Sequence, residues 1–223
     1  MSKKYINRTL LFLLLVTSLI YITSLLNKTI VKESFTNQRP IITLMGDSIL
    51  ENSSYVGNED SVQANLNKKT KDKVINLARD DALIYDIYTQ LDQIHYDYNN
   101  ENNSIVLSVG GNNLLLSIEF NKKDSHVQVL FSQYMELVKA IKTKMNKVKL
   151  ILCDCYYSNC KDTKINNIVT KWNTLLYNFA NKEKIKVIKI SSDLTSSFDY
   201  VNDIEPSEKG SKKIADAIVA ILN

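Results

Sequence analysis

Residues 41–223 predict one α/β domain, a three-layer α/β/α sandwich around a five-stranded, mostly parallel sheet. Short β-rich apolar runs alternate with segments whose apolar residues recur at helical spacing. The strand-like runs are apolar along their whole length, which is typical of strands that are covered on both faces of a sheet. The 223 residues are enough for one medium-sized domain with a real core. These three observations favour parallel strands joined by helical crossovers.

The strands and helices are predicted in alternation along the chain. Five apolar runs predict strands, at Ile41–Met45, Val74–Ala78, Ser104–Val109, Val148–Cys153 and Lys186–Ile190. Helices are predicted inside the polar stretch Asn52–Lys73 and over Ala82–Ile94, Val127–Met145, Ile165–Ala180 and Ser207–Leu222. Two polar connections, Glu51–Asp60 and Leu114–Ser125, are predicted to be loops that border the pocket of the domain.

The first 40 residues predict a membrane anchor rather than part of the domain. Residues 10–26 are almost uninterruptedly apolar, and with part of their flanks they reach the ~20 residues that a membrane crossing needs. A short basic segment precedes them at residues 1–9, and residues 27–40 predict a polar linker.

The basic residues on the amino side of this segment, Lys3, Lys4 and Arg8, favour a cytoplasmic amino terminus and an exported domain. A cleaved signal peptide followed by secretion is the alternative. No small-x-small cleavage site follows Leu26, so the sequence favours an uncleaved signal anchor.

The net charge of +4 belongs to the amino-terminal tail. Residues 1–40 carry +5, which leaves −1 for the domain. The composition therefore gives no reason to expect a nucleic-acid partner.

Three cysteines, Cys153, Cys155 and Cys160, lie close together after the fourth predicted strand. An odd, local set is not a disulfide framework, although a Cys155–Cys160 bridge is compatible with an exported loop. A zinc site would need a fourth ligand that the nearby sequence does not offer. We therefore expect buried or loop thiols and no metal site here.

Polar segments follow three of the predicted strands where each strand ends. Ser48 follows the first, residues 78–81 follow the second, and residues 110–113 follow the third. The last helix begins after residues 202–206, on the same side. Because the carboxyl ends of parallel strands share one edge of the sheet, we expect these segments to meet there, with Ser48 near the start of a helix.

This combination resembles the SGNH/GDSL hydrolase family. Gly46-Asp47-Ser48 matches its nucleophile block, and Gly110-Gly111-Asn112-Asn113 matches its Gly-x-Asn-Asp block. The resemblance spans Ile41 to the carboxyl terminus and implies a flavodoxin-like fold, with Ser48 as nucleophile. It also implies an oxyanion hole made of the Ser48 N–H and the Asn112 amide. Aligning Asn76 with the second block places Asp81 at the position of the third oxyanion donor, where the family has glycine.

The chain departs from the family at its last block. The family's Asp-x-x-His-Pro aligns with residues 202–206, so that Glu205 stands for the general-base histidine and Asn202 for its orienting aspartate. A glutamate has a reference pKa of ~4.3 against ~6.5 for histidine, but burial can raise it to ~6–7. The Ile-Glu-Pro-Ser string also resembles a subgroup of the family that carries it in this block. Asn202 is expected to orient Glu205 through an amide hydrogen bond.

Three functions remain open from the sequence. The first is a membrane-anchored serine ester hydrolase that acts on acyl or acetyl esters of a small molecule, glycan or lipid, without metal or organic cofactor. The second is a non-catalytic module that binds an acylated glycan or a lipid in the same cleft. The third is an O-acyltransferase that uses the same residues. The two histidines, His95 and His126, match no family block and are expected to be surface or packing residues.

Overall fold

The computed structural model describes residues 16–26, 39–123, 125–160 and 162–222. Its contacts divide the chain into two compact units, residues 1–39 and 40–223, and the second unit is the predicted domain. In the first unit, residues 16–26 are helical, whereas residues 10–15 of the predicted anchor and residues 27–38 of the linker lie outside the described residues. Among the described residues, no helix combines the length and the hydropathy that crossing a membrane requires.

The domain is built on a five-stranded sheet in which every strand is parallel to its neighbours. The strand order is β2-β1-β3-β4-β5. The strands are β1 (Ile41–Gly46), β2 (Lys73–Asn76), β3 (Ser104–Ser108), β4 (Lys149–Cys153) and β5 (Lys186–Ile188). The predicted α/β class and the predicted number of strands are confirmed.

Eight helices of the domain connect or flank these strands in the described part of the chain. They are α1 (Ser53–Val56), α2 (Val62–Lys69), α3 (Ile87–Asp92), α4 (Gly111–Glu119), α5 (His126–Lys144), α6 (Thr163–Glu183), α7 (Ile190–Asp193) and α8 (Glu208–Leu222). Two short 3₁₀ turns lie at Tyr96–Tyr98 and Ser197–Asp199.

The sheet separates two hydrophobic clusters, because side chains alternate between its faces. Helices α3, α5 and α6 cover one face, where Leu107 and Leu152 pack with Trp172. Helices α2 and α8 cover the other face, where Leu44 and Val106 contribute to the core. All residues of both clusters belong to the domain, so among the described residues its core is formed without any from the amino-terminal unit.

Several predicted segments differ from the structure. The predicted pocket loop at Glu51–Asp60 contains the short helix α1, Ser53–Val56. Half of the predicted pocket loop at Leu114–Ser125 belongs to helix α4, which begins at Gly111 and buries Leu114 and Ser117. Its first turn is rich in glycine and asparagine, which are poor helix formers and mask the helix in the sequence. The predicted helix at Ala82–Ile94 is shorter, because residues 79–86 form turns before α3 begins at Ile87.

Candidate active site

Ser48 lies just beyond the carboxyl end of β1, in a turn that is packed into the domain. Only 6% of its surface is exposed. The turn is closed by hydrogen bonds from the backbone N–H groups of Leu50 and Glu51 to the Asp47 carbonyl, both 3.1 Å long. Ser48 was expected near the start of a helix; it lies in this turn, and the next helix, α1, starts at Ser53.

Gly46 makes this turn possible because β3 passes directly against it. Its φ is +148°, and a Cβ at this position would lie 1.9 Å from the Ser108 carbonyl oxygen. Any larger residue would therefore push the end of β1 away from β3 and move Ser48.

Gln90 holds the same glycine from the other side. The buried side-chain amide of this residue accepts the Gly46 N–H and donates to the Gly46 carbonyl, at 2.8 Å in each case. Sequence reasoning missed this residue. The available signal was a polar side chain among the apolar positions of a predicted amphipathic helix.

The Ser48 hydroxyl donates a hydrogen bond to the Glu205 carboxylate. The Ser48 Oγ to Glu205 Oε1 distance is 3.1 Å. The second oxygen, Oε2, is buried and has no hydrogen-bond partner among the described residues. The structure therefore brings together the predicted nucleophile and the predicted base, which are 157 residues apart in the chain.

Burial makes Glu205 a much better proton acceptor than an ordinary glutamate. Desolvation raises its pKa to about 7; repulsion by Asp80 and Asp81 adds to the rise, and the Ser48 hydrogen bond opposes it. Buried Asp47 also has its pKa raised to about 7, chiefly by desolvation and further by Glu205, against the hydrogen bond from the Ile49 N–H. Two carboxyl groups with pKa values near neutrality therefore flank Ser48.

Asn202 acts on the backbone that carries Glu205 rather than on the carboxylate. Its side-chain carbonyl accepts the N–H groups of Ile204 and Glu205 at 2.8 and 2.7 Å. The Tyr156 hydroxyl donates to the Ile204 carbonyl at 2.6 Å. The expected hydrogen bond between the Asn202 amide and the Glu205 carboxylate is thus replaced by a contact that shapes the loop.

A buried aspartate fixes the beginning of the same loop. Asp199 accepts the N–H groups of Thr195 and Ser196 and a 2.7 Å bond from the Lys213 ammonium on α8. Although burial opposes ionisation, the bond from Lys213 and the backbone bonds hold the pKa of Asp199 below its usual value. The Asp199 carbonyl then accepts the Ser207 N–H at 2.8 Å. This bond brings together the two ends of residues 200–206, which we call the Glu205 loop.

The predicted oxyanion residues reach the same edge of the sheet. Asn112 lies in the first turn of α4, and its amide donates to the Ala82 carbonyl at 3.2 Å. Asp81 has a left-handed φ of +57°, which agrees with its alignment to a glycine position. Its N–H is already engaged by the Asp80 carboxylate at 3.0 Å. The Asn112 amide keeps a second hydrogen for an oxyanion, whereas Asp81 has a single N–H, so Ser48 and Asn112 are the better placed donors.

A cavity of about 50 Å³ joins Ser48 and Asn112. Its walls are largely apolar and come from the turn after β1, α4, the segment after β4, α6 and the Glu205 loop. The aliphatic lining residues are Ile49, Leu114, Leu115, Ile118, Ile165, Val169 and Ile204, and Cys155 and Tyr156 also line the cavity. The cavity places an apolar surface beside the hydroxyl that would carry an acyl group.

Among the described residues, no histidine or cysteine is hydrogen-bonded to Ser48 or Glu205, although Cys155 lines the cavity. His95 is largely exposed beside Asp97, and His126 is partly exposed at the start of α5. All three cysteines are free thiols, Cys153 and Cys155 buried and Cys160 exposed. The loop therefore has no Cys155–Cys160 bridge.

Solved structures share this architecture. A lipolytic protein of the G-D-S-L family from Veillonella parvula matches with a TM-score of 0.67 at 17% identity, over 81% of this chain and 97% of that chain. A lipase from a goat rumen metagenome matches with a TM-score of 0.69 at 16% identity, over 81% of this chain and 96% of that chain. An acetyl xylan esterase matches with a TM-score of 0.66 at 14% identity, over 82% of this chain and all of that one (100%). At these identities the likeness shows the fold alone.

The family is shown by the sequence itself. No curated protein matches the chain by sequence. The profile of the GDSL-like Lipase/Acylhydrolase family matches residues 42–218, which include Ser48, Asn112 and Glu205. The chain therefore belongs to the GDSL-like lipase/acylhydrolase family and is a hydrolase with that family's parallel α/β fold.

Proposed function

We propose that this protein is a membrane-anchored serine ester hydrolase in which Glu205 takes the role of the catalytic histidine. The observation that carries the proposal is the hydrogen bond from the Ser48 hydroxyl to a half-buried carboxylate whose pKa is raised to about 7. This pKa is close to the ~6.5 of an unperturbed histidine, so the basicity lost by the exchange is largely recovered.

The geometry supports a two-step acyl transfer. The Ser48 oxygen attacks the ester carbonyl carbon while Glu205 accepts the hydroxyl proton. The negative charge that develops on the carbonyl oxygen is stabilised by the Ser48 N–H and the Asn112 amide. Protonated Glu205 then gives its proton to the leaving alcohol. In the second step Glu205 takes a proton from a water molecule while the water oxygen attacks the acyl carbon. The bond between that carbon and the Ser48 oxygen then breaks, Glu205 returns the proton to this oxygen, and the carboxylic acid leaves.

The substrate class follows from the cavity. A cavity of about 50 Å³ with apolar walls suits the acyl group of a short ester better than a charged group. We therefore propose acetyl or other short acyl esters of a small molecule, glycan or lipid as substrates.

The anchor remains part of the proposal on sequence grounds, namely the apolar residues 10–26 and the basic residues before them. Alkaline carbonate extraction of membranes from expressing cells tests it. Retention of the full chain in the pellet is expected, whereas release of a shortened chain would show signal cleavage instead.

Labelling with a fluorophosphonate tests the activated serine. We expect the native chain to label and the Ser48→Ala variant not to label. Glu205→Gln should label at least roughly a hundredfold more slowly, because an amide cannot accept the proton. Glu208→Gln is the matched control, since Glu208 is an exposed glutamate in the first turn of α8, and it should label like the native chain.

The same experiment separates the open alternatives. A folded native chain that never labels would contradict the hydrolase and favour the binding module. A labelled chain that releases the acyl group mainly to an added sugar hydroxyl, rather than to water, would identify an O-acyltransferase.

A further inference from the structure

A groove with lysines on its rim lies at the edge of the sheet opposite to Ser48. It has a volume of about 610 Å³ and is formed where α5 and α6 end and β4 and β5 begin. Five lysines of this corner define what we call the basic edge: Lys142, Lys147, Lys149, Lys184 and Lys186. All five are exposed.

Most of this charge is uncompensated. Glu183 is the single acidic residue of the groove lining in the described part of the chain, and it is paired with Lys142 at 2.7 Å. Lys147, Lys149 and Lys184 have no ion-pair partner among the described residues. Three positive charges are therefore available for an external anion.

Helix termini do not account for the whole cluster. Lysines favour the last turn of a helix because they complement its dipole, and Lys142 is explained in this way. Lys149 and Lys186, however, are the first residues of strands. Lys186 pairs with Ile151, two residues after Lys149, so both lysines emerge from the same face of the sheet.

The edge of the sheet at the carboxyl ends of the strands carries negatively charged side chains beside Ser48. Asp80, Asp81 and Glu205 lie in loops at the carboxyl ends of the strands, beside Ser48, and the domain as a whole has a net charge of −1. The groups beside Ser48 are therefore acidic, whereas the basic edge, at the amino ends of β4 and β5, is positively charged. A flat anionic surface would attract one edge and repel the other.

The chain also enters the domain at the basic side. Pro40 precedes β1, and its carbonyl accepts the Lys73 N–H at the start of β2, 2.8 Å away. The start of β4 lies two strands from β1, which is about 10 Å along the sheet. Pro40 therefore joins β1 at the edge of the sheet that carries the lysines.

We propose that the basic edge binds the anionic headgroups of a phospholipid membrane and holds the catalytic edge turned away from it. Phosphate headgroups in a flat layer offer the ammonium groups many partners at once, and the proposed membrane anchor keeps their local concentration high. The site would then face substrates in the solution beyond the membrane instead of lipids in the layer that anchors the protein. The inference rests on the proposed membrane anchor but not on the hydrolase activity.

Co-sedimentation with vesicles tests the proposal on residues 40–223, which contain both hydrophobic clusters of the domain. We expect binding to phosphatidylcholine vesicles that contain one-third phosphatidylglycerol and none to phosphatidylcholine alone. Raising the salt from about 50 mM to about 500 mM should release the domain, because screening shortens the reach of surface charges. Glycerol phosphate at the same phosphate concentration should not displace it.

Two triple variants with equal changes in charge separate the basic edge from general electrostatics. Lys147→Glu, Lys149→Glu and Lys184→Glu together should weaken vesicle binding at least roughly tenfold. The control replaces Lys122, Lys123 and Lys164, exposed lysines outside the basic edge, by glutamate and should bind within about twofold of the native domain.

Equal loss in both triple variants, unchanged binding of the first, displacement by glycerol phosphate, or no binding of the native domain would each overturn the proposal. Thermal unfolding of each variant shows that it is folded. Ester hydrolysis should be unchanged in the basic-edge variant, and a chain without activity would still give a clear vesicle result.

Discussion

At the scale of single residues, the unusual feature of this hydrolase is a carboxylate where the family places an imidazole. A histidine base needs an aspartate to fix its tautomer, whereas a carboxylate has no tautomer to fix. This explains why Asn202 is free to hold the backbone of Glu205 through its side-chain carbonyl. The raised pKa of Glu205 then decides how activity depends on pH.

The first prediction is a pH profile that is set by Glu205. The base must be ionised to accept the Ser48 proton, so kcat/KM on a soluble acetate ester should rise with pH through an apparent pKa of about 7. Below that pH the protonated carboxyl cannot act. Glu205→Gln should abolish the rise. If the rise persisted in this variant and disappeared when His95 or His126 was replaced, the base would be a histidine.

The second prediction concerns the acidic neighbours that raise this pKa. Replacing Asp80 and Asp81 by asparagine removes two negative charges that disfavour ionised Glu205. The apparent pKa of kcat/KM should therefore move to lower pH, by up to about one unit. Replacing Asp97 and Glu101, two exposed acids distant in the fold, by their amides should leave the profile in place. A shift to higher pH, or an equal shift in the control, would contradict the assignment.

At the scale of elements, the site depends on how tightly β1 ends. Gly46 is pressed against the Ser108 carbonyl and held by the Gln90 amide, so the position of Ser48 is set by β3 and α3 together. A short side chain at residue 90 would leave the buried Gly46 N–H without a partner, whereas the Gly46 carbonyl would keep the bond from the Arg79 N–H at 3.0 Å.

The third prediction tests this clamp. Gln90→Ala should lower the free energy of unfolding by about 1–3 kcal/mol, since an unpaired buried N–H costs about that much. It should also reduce kcat, because Ser48 follows Gly46 by two residues. Gln93→Ala, an exposed glutamine just after the same helix, is the control and should change stability by less than about 0.5 kcal/mol. Urea unfolding measures the free energy of unfolding of both variants. Equal stability of the two variants would show that the hydrogen bonds between Gln90 and Gly46 are not needed.

The elements also show what the sequence could reveal. The five parallel strands and the meeting of Ser48, Asn112 and Glu205 follow from apolar runs, helical crossovers and short motifs, which can be read directly from the sequence. The order of the strands in the sheet was not predicted. The Gln90 clamp, the engaged N–H of Asp81 and the Asp199–Lys213 pair depend on which side chains meet after folding. Helix α4 was missed because packing of Leu114 and Ser117 outweighs the weak helix propensity of its first residues.

At the scale of the whole molecule, placing two carboxyl groups beside the nucleophile has a cost in stability. Asp47 is 2% exposed, and its pKa in the folded protein is about 7 against a reference of 3.8. The folded state therefore binds this proton more tightly than the unfolded state does. Stability from this group is greatest below the reference pKa and is lost as the pH rises towards 7.

The last prediction follows from this loss of stability with rising pH. Asp47→Asn keeps a carbonyl oxygen for the Ile49 N–H but no longer titrates, so the variant should gain stability relative to the native chain as the pH rises from about 4 to 7. The gain should be on the order of 4 kcal/mol at most, because one pKa unit corresponds to about 1.4 kcal/mol. Urea unfolding at a series of pH values measures it. Asp97→Asn, which removes an exposed carboxylate, should show no comparable trend. A gain that falls with rising pH would mean that Asp47 is ionised in the folded protein, and that Glu205 shares its site with a fixed negative charge.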